Sequence, residues 1–193
     1  MLVSKAKSSD LATASVVSGG GSLSKALAGG VFTVQCHDKD GNLKWEASKP
    51  NLVVNQGLQD MNTKYFLGSS YTATWYLGLY GAASSNNPAA GDTMASHAGW
   101  TEVTAYSQAT RPACTFGTAT TADPSVITNS ASPAAFSING TTVVGGAFLT
   151  SDNTKGGTTG VLFSAADFAA PGDRSVVSGD TISVTYTFSL DAA

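Results

Sequence analysis

Residues 181–190, Thr-Ile-Ser-Val-Thr-Tyr-Thr-Phe-Ser-Leu, alternate hydroxyl-bearing and large apolar side chains without a break. A period of two belongs to a β-strand with one face in a core and the other turned outward. Ile182, Val184, Tyr186, Phe188 and Leu190 are thereby assigned to the core. The opposite face carries only Ser and Thr, with no charge before Asp191. Strands that meet bulk water usually carry Lys or other charges against edge pairing. A neutral hydroxyl face therefore suggests a surface that something else covers.

The same neutrality extends along the chain. Charged residues make up 12% of the 193, about half the ~25% usual in a soluble domain. No Asp, Glu, Lys or Arg occurs between Lys64 and Asp92 or between Asp123 and Asp152, and charge depletion of this kind suits buried interfaces. A net charge of −3 without clustered Lys or Arg gives no footprint for nucleic acid or anionic lipid. Neither a leader-length apolar run at the start nor the ~20 apolar residues of a membrane span is present. The expectation is a chain made in the cytoplasm, with no membrane partner. Cys36 and Cys114 are too few for a disulfide framework and read as small buried hydrophobes.

The punctuation of the sequence divides it into an arm, residues 1–30, and one domain, residues 31–193. The arm is rich in Ser, Ala and Gly, with Gly19-Gly20-Gly21 and scattered Leu2, Val3, Leu11, Leu23 and Leu27 as candidate docking residues. Val31 to Cys36 alternates, Asp40-Gly41 supplies a turn, and Leu43 to Glu46 returns as the second strand of a hairpin. Val54, Leu58, Met61 and Tyr65 have helical spacing, predicting one helix over 55–66. Strands are expected over 71–80, 134–139, 142–149, 160–164 and 181–190, a hairpin turn at Asn139-Gly140, and one helical turn over Ser164 to Phe168. Many short strands with a single helix predict an antiparallel β-sandwich or jelly roll with an extended N-terminal arm.

Candidate chemistry is sparse. Cys36, His37, His97 and Cys114 are the soft metal ligands, but adjacent Cys36 and His37 leave a strand on opposite faces. Ser96, His97 and Asp92 lack a nucleophile elbow or oxyanion loop. Asp38, Asp40 and Asn42 resemble the start of a calcium loop, yet Gly41 falls at the fourth position and a strand follows. Asp38, Asp40, Asp123, Asp152, Asp173 and Asp180 sit in turn-forming sequence, where their side chains have a local use. Arg111 is expected to clamp Glu102 or cap a loop carbonyl. Trp45, Trp75 and Trp100 are expected in the core, with an exposed carbohydrate platform as the alternative. No catalytic residue, metal or cofactor is assigned.

Three landmarks carry a likeness. Asn51-Leu52-Val53-Val54-Asn55-Gln56-Gly57-Leu58 is followed by Trp75-Tyr76-Leu77-Gly78-Leu79, and Gly179-Asp180-Thr181-Ile182-Ser183-Val184-Thr185-Tyr186 closes the series. With Asp92 to Glu102 between the second and the last of them, the chain resembles, over about residues 31–190, small virion proteins of tailed bacteriophages. The resemblance implies a non-enzymatic building block of the particle, made in the host cytoplasm. The first expectation is a capsid decoration or cement protein that binds the major capsid protein and further copies of itself. The second is a tail or tail-fibre component, for which host glycans become partners. A carbohydrate-binding or carbohydrate-active module is the reading from another class.

Overall fold

The computed structural model describes residues 26–71, 74–81, 87–168 and 173–192. In chain order the elements are β1 (Ala26–His37), β2 (Leu43–Pro50), β3 (Leu52–Val53), α1 (Asn55–Phe66), β4 (Trp75–Gly81), β5 (Thr101–Glu102) and β6 (Ala113–Cys114). There follow β7 (Ser125–Thr128), β8 (Ala134–Ser137), β9 (Thr142–Val144), β10 (Gly146–Thr150), β11 (Leu162–Asp167), β12 (Arg174–Val176) and β13 (Thr181–Ala192). The paired strands are antiparallel and form two main sheets. The front sheet runs β2-β1-β13-β7, with β8 also on β13; the back sheet runs β3-β11-β10-β4-β5, with β6 also on β4. A small ribbon of β9 and β12 completes the pairing. This is the expected mainly β, sandwich-type architecture with one helix.

The alternation of residues 181–190 places β13 in the centre of the front sheet. It pairs with β1 along twelve positions, from Ala26 opposite Ala192 to His37 opposite Thr181. Ile182, Val184 and Tyr186 are fully buried and pack with Phe32, Val34 and Cys36 against Leu77, Leu79 and Leu149 of the back sheet. Phe188 and Leu190 share that face but are less covered, and Leu190 is 38% exposed. β1 begins at Ala26, so residues 26–30, expected in the arm, belong to the sheet; the long partner strand supplies their backbone hydrogen bonds.

On its other edge β13 meets two short strands in succession, β8 at Thr181–Val184 and β7 at Thr187–Leu190. The gap between them is filled by the side chain of Asn129. Its Oδ1 accepts from the Tyr186 N–H at 2.7 Å and its Nδ2 donates to the Val184 carbonyl at 3.2 Å. A side-chain amide has the donor and acceptor of a peptide group, so Asn129, 1% exposed, replaces the missing rung of the ladder.

The back sheet is covered on both sides, which explains the nearly continuous burial of β4, β10 and β11. One side faces the front sheet. On the other, the loop bearing Met94 and Trp100 packs with Val54, Tyr80, Phe148 and Leu162 in a second core. Gly78 sits opposite Phe148, and a Cβ there would lie 2.1 Å from the ring. Where a helical turn over Ser164 to Phe168 is expected, Ser164 to Asp167 form the end of β11: the Ala-rich sequence favours a helix, but pairing with β10 prevails. The expected hairpin at Asn139-Gly140 is also absent. β8 pairs with β13 while β9 pairs with β12, so this turn carries the chain between sheets.

Helix α1 occupies the predicted residues. Its first turn is pressed to β11, where Gln56 Oε1 accepts from the Leu162 N–H at 2.8 Å. Gly57 is required by that approach, because a Cβ would meet the Phe163 carbonyl oxygen at 2.3 Å. The helix stops where Gly68 adopts φ +65°, the left-handed conformation suited to a helix terminus.

Candidate functional site

The outer face of the front sheet is built by alternation and register. β13 contributes Thr181, Ser183, Thr185, Thr187 and Ser189; Thr33 and Gln35 of β1 lie opposite Thr185 and Ser183. Ser48 and Glu46 of β2 continue these rows, as do Ser137 and Ala135 of β8. Thr33 and Ser48 hydroxyls meet at 3.2 Å, Thr187 donates to Thr128 at 3.0 Å, and Gln35 Nε2 donates to Glu46 Oε2 at 2.7 Å. Within this register the charged side chains are Glu46, engaged by Gln35, and Asp191 at the far end. Short side chains held by one another give a face with little conformational entropy to lose on contact and almost no charge to desolvate.

A second surface lies at the end where the sheets part. β1 and β13 have twelve residues each, whereas β4, β10 and β11 have seven, five and six. At ~3.3 Å per residue the front strands run ~40 Å and the back strands about half that. Toward the end of β13 the back sheet covers the inward side chains only in part, and Leu190 is left 38% exposed. A cleft of ≈580 Å³ results. Its front wall holds Phe188, Leu190, Ile127 and Ala26, and its back wall Trp75, Leu149 and Phe163. The last turns of α1 contribute Met61, Tyr65 and Phe66, with Phe116 and Tyr71 nearby. Phe163 stacks edge-on to both Trp75 and Phe188, at 5.2 and 5.4 Å between ring centres.

At the cleft's rim Tyr65, Phe66, Leu67 and Tyr71 are each more than 70% exposed. Tyr65 and Phe66 are edge-on at 5.0 Å, and Lys64 reaches past them to donate to the Ser70 carbonyl. Asp60, Asn62 and Lys64 are the polar members of the lining. Contiguous exposed apolar surface of this kind marks an interaction site. Sequence reading missed this rim; the one trace of it is Tyr65-Phe66-Leu67, three consecutive large apolar residues that do not fit a one-sided helix.

The residues singled out from the sequence distribute as follows. Leu27 lies on the outer face of β1 opposite Asp191 and is 55% exposed, while its neighbour Ala26 lines the cleft. Leu2, Val3, Leu11 and Leu23 lie outside the described residues. Cys36 and Cys114 are buried free thiols; burial pushes their pKa up to about 11 and about 12, respectively. His97 stacks on Trp100 at 3.8 Å, and Asp92 Oδ2 accepts from Trp100 Nε1 at 3.1 Å, so Asp92 and His97 hold the tryptophan. Asp38 Oδ1 accepts from the Asp40 and Asn42 N–H groups, both at 2.9 Å, and the Asn42 amide holds its pKa down. Among the described residues no three His, Cys, Asp or Glu side chains gather as a metal site.

Arg111 performs both expected tasks. Its Nε and Nη2 donate to Glu102 at 2.9 and 2.7 Å, and Nη1 and Nη2 to the Asp152 and Gly157 carbonyls at 2.8 and 2.7 Å. At 1% exposure the guanidinium is spent on tying the 152–157 loop to β5. Trp100 is buried; Trp45 and Trp75 pack against the main core, with Trp75 also reaching the cleft. Comparison with known proteins finds no matching family model, no matching curated protein and no matching solved structure.

Proposed function

We propose that this chain is a non-enzymatic structural protein of a bacteriophage virion, most specifically a decoration or cement protein bound to the shell of the major capsid protein. The observation that carries the reading is the hydroxyl-rich outer face of the front sheet, in which Glu46 and Asp191 are the charged side chains of the paired rows. Four strands abreast at ~4.8 Å spacing and a ~40 Å central strand give this face roughly 600 to 800 Å², comparable to the ~800 Å² each partner contributes to a standard interface. Many copies, each held by a modest contact, reinforce a closed shell collectively. The virion assignment itself rests on the three sequence landmarks. A tail or tail-fibre position is the variant with fewer copies.

The test is quantitative mass spectrometry of purified particles, read as copies of this polypeptide per major capsid protein. Tens to hundreds of copies per particle support decoration of an icosahedral shell, and about three to a few tens move the protein to the tail. Absence from particles overturns the proposal, and binding to a glycan array in that case returns the protein to the carbohydrate-binding class. In the decoration case Thr185→Lys, which places an unpaired charge at the centre of the face, is expected to release the protein from shells while leaving its fold intact.

A further inference from the structure

We infer that the apolar cleft between the parted sheets is the docking site for residues 1–25 of the same polypeptide. The strand that emerges from those residues starts in the cleft wall, since Ala26 is both the first residue of β1 and part of the lining. Leu23 is three residues upstream, within ~10 Å even at full extension. The whole segment reaches ~80 Å when extended, far more than is needed to re-enter the cleft. The three consecutive glycines at 19–21 permit the backbone reversal that re-entry requires.

Chemistry agrees with reach. The segment contains Leu2, Val3, Leu11, Val16, Val17 and Leu23, side chains suited to a site walled by Phe188, Leu190, Trp75 and Met61. It carries Lys5, Lys7 and Lys25 against one acid, Asp10, whereas the remaining residues hold seven basic side chains against twelve acidic ones. In the lining Asp60 is balanced by Lys64, and Asp123, which accepts from the Ala192 N–H at 3.0 Å beside the end of β13, adds one negative charge near the strand pair that opens into the cleft. Tethering supplies the rest: a short linker gives an effective concentration of the order of mM. Apolar contacts too weak to hold a free peptide therefore keep the site covered.

The experiment uses the full chain. Leu23→Cys is combined with Asn62→Cys in the cleft lining, with Cys36 and Cys114 left as buried, slow-reacting thiols. Under mild oxidation an intramolecular disulfide is expected in most molecules, detected by intact mass and non-reducing electrophoresis. In parallel, Val16→Asp with Val17→Asp is expected to raise the fluorescence of an added apolar dye at least threefold, with circular dichroism and sedimentation unchanged. Phe66→Ser added to that variant is expected to lower the dye signal again, placing the dye in this cleft. Cross-linked dimers in place of intramolecular disulfides assign the cleft to a second copy and overturn the inference. No cross-link above that of a surface control pair, or a dye signal indifferent to the arm substitutions, overturns it as well.

Discussion

Asn129→Ala isolates the worth of a side chain that stands in for a strand. In the parent, Asn129 Oδ1 accepts from the Tyr186 N–H and Asn129 Nδ2 donates to the Val184 carbonyl, at 2.7 and 3.2 Å. Both backbone groups lie in the central strand, flanked by residues with no exposure at positions 184 and 186. Truncation leaves a buried donor and a buried acceptor without their side-chain partner, each costing ~1 to 3 kcal/mol. The Asn129 N–H, which donates to the Tyr186 carbonyl at 3.3 Å, is unaffected. The expected loss is therefore ~2 to 6 kcal/mol, the lower end applying if a water enters the space vacated. For a chain of this size that corresponds to a fall in Tm of roughly 4 to 24 °C. Urea unfolding followed by tryptophan fluorescence measures the loss directly. Asn129→Asp is the companion variant: it retains the acceptor for Tyr186 but sets a carboxylate against the Val184 carbonyl, so it should be no more stable than Asn129→Ala. A loss below ~0.5 kcal/mol for Asn129→Ala, with an unchanged urea dependence, refutes the claim that this amide completes the ladder.

Arg111→Met should cost ~3 to 5 kcal/mol by stranding Glu102 without its cation, and Arg111→Met with Glu102→Leu should recover a large part of it; thermal unfolding of the two single variants and the double variant measures the coupling. The buried thiols predict an alkaline weakness. An unfolded thiol ionises near its ordinary value of 9.0, whereas folding raises Cys36 to about 11 and Cys114 to about 12. This contribution is fully present below pH ~9 and is lost as pH rises through the folded values. Burial raises Tyr80, Tyr106 and Tyr186 in the same direction. Urea midpoints should therefore fall above pH ~9, Cys36→Ala with Cys114→Ala should reduce the first part of that fall, and an alkylating reagent at neutral pH should leave both native thiols unmodified.

Patterns that act over neighbouring residues were legible in the sequence. The alternation at 181–190 located β13 and its two faces, the spacing of Val54, Leu58, Met61 and Tyr65 located α1, and Asp40-Gly41 located the β1–β2 turn. β7 and β12 were missed because four and three residues carry too little period. Ser164 to Phe168 was misread because alanines buried on both sides of a sheet have no alternation to display. The outer hydroxyl face was visible before the fold. The cleft was not, for it arises from a difference in length between strands far apart in the chain. Asn129 gave no signal either: an asparagine between Thr128 and Ser130 has the composition of any turn.

The pairing of Ala26 with Ala192 and of His37 with Thr181 also sets the timetable of folding. Contacts between such distant positions cost ~4 kcal/mol or more in chain closure before any of the sheet repays it, and topologies dominated by them fold slowly. On the ribosome, the β1–β2 hairpin must wait beside an unfinished chain until residues 181–192 have emerged. The front sheet then closes around its central strand, so a polypeptide halted before that point has a hairpin and an incomplete core but no front sheet.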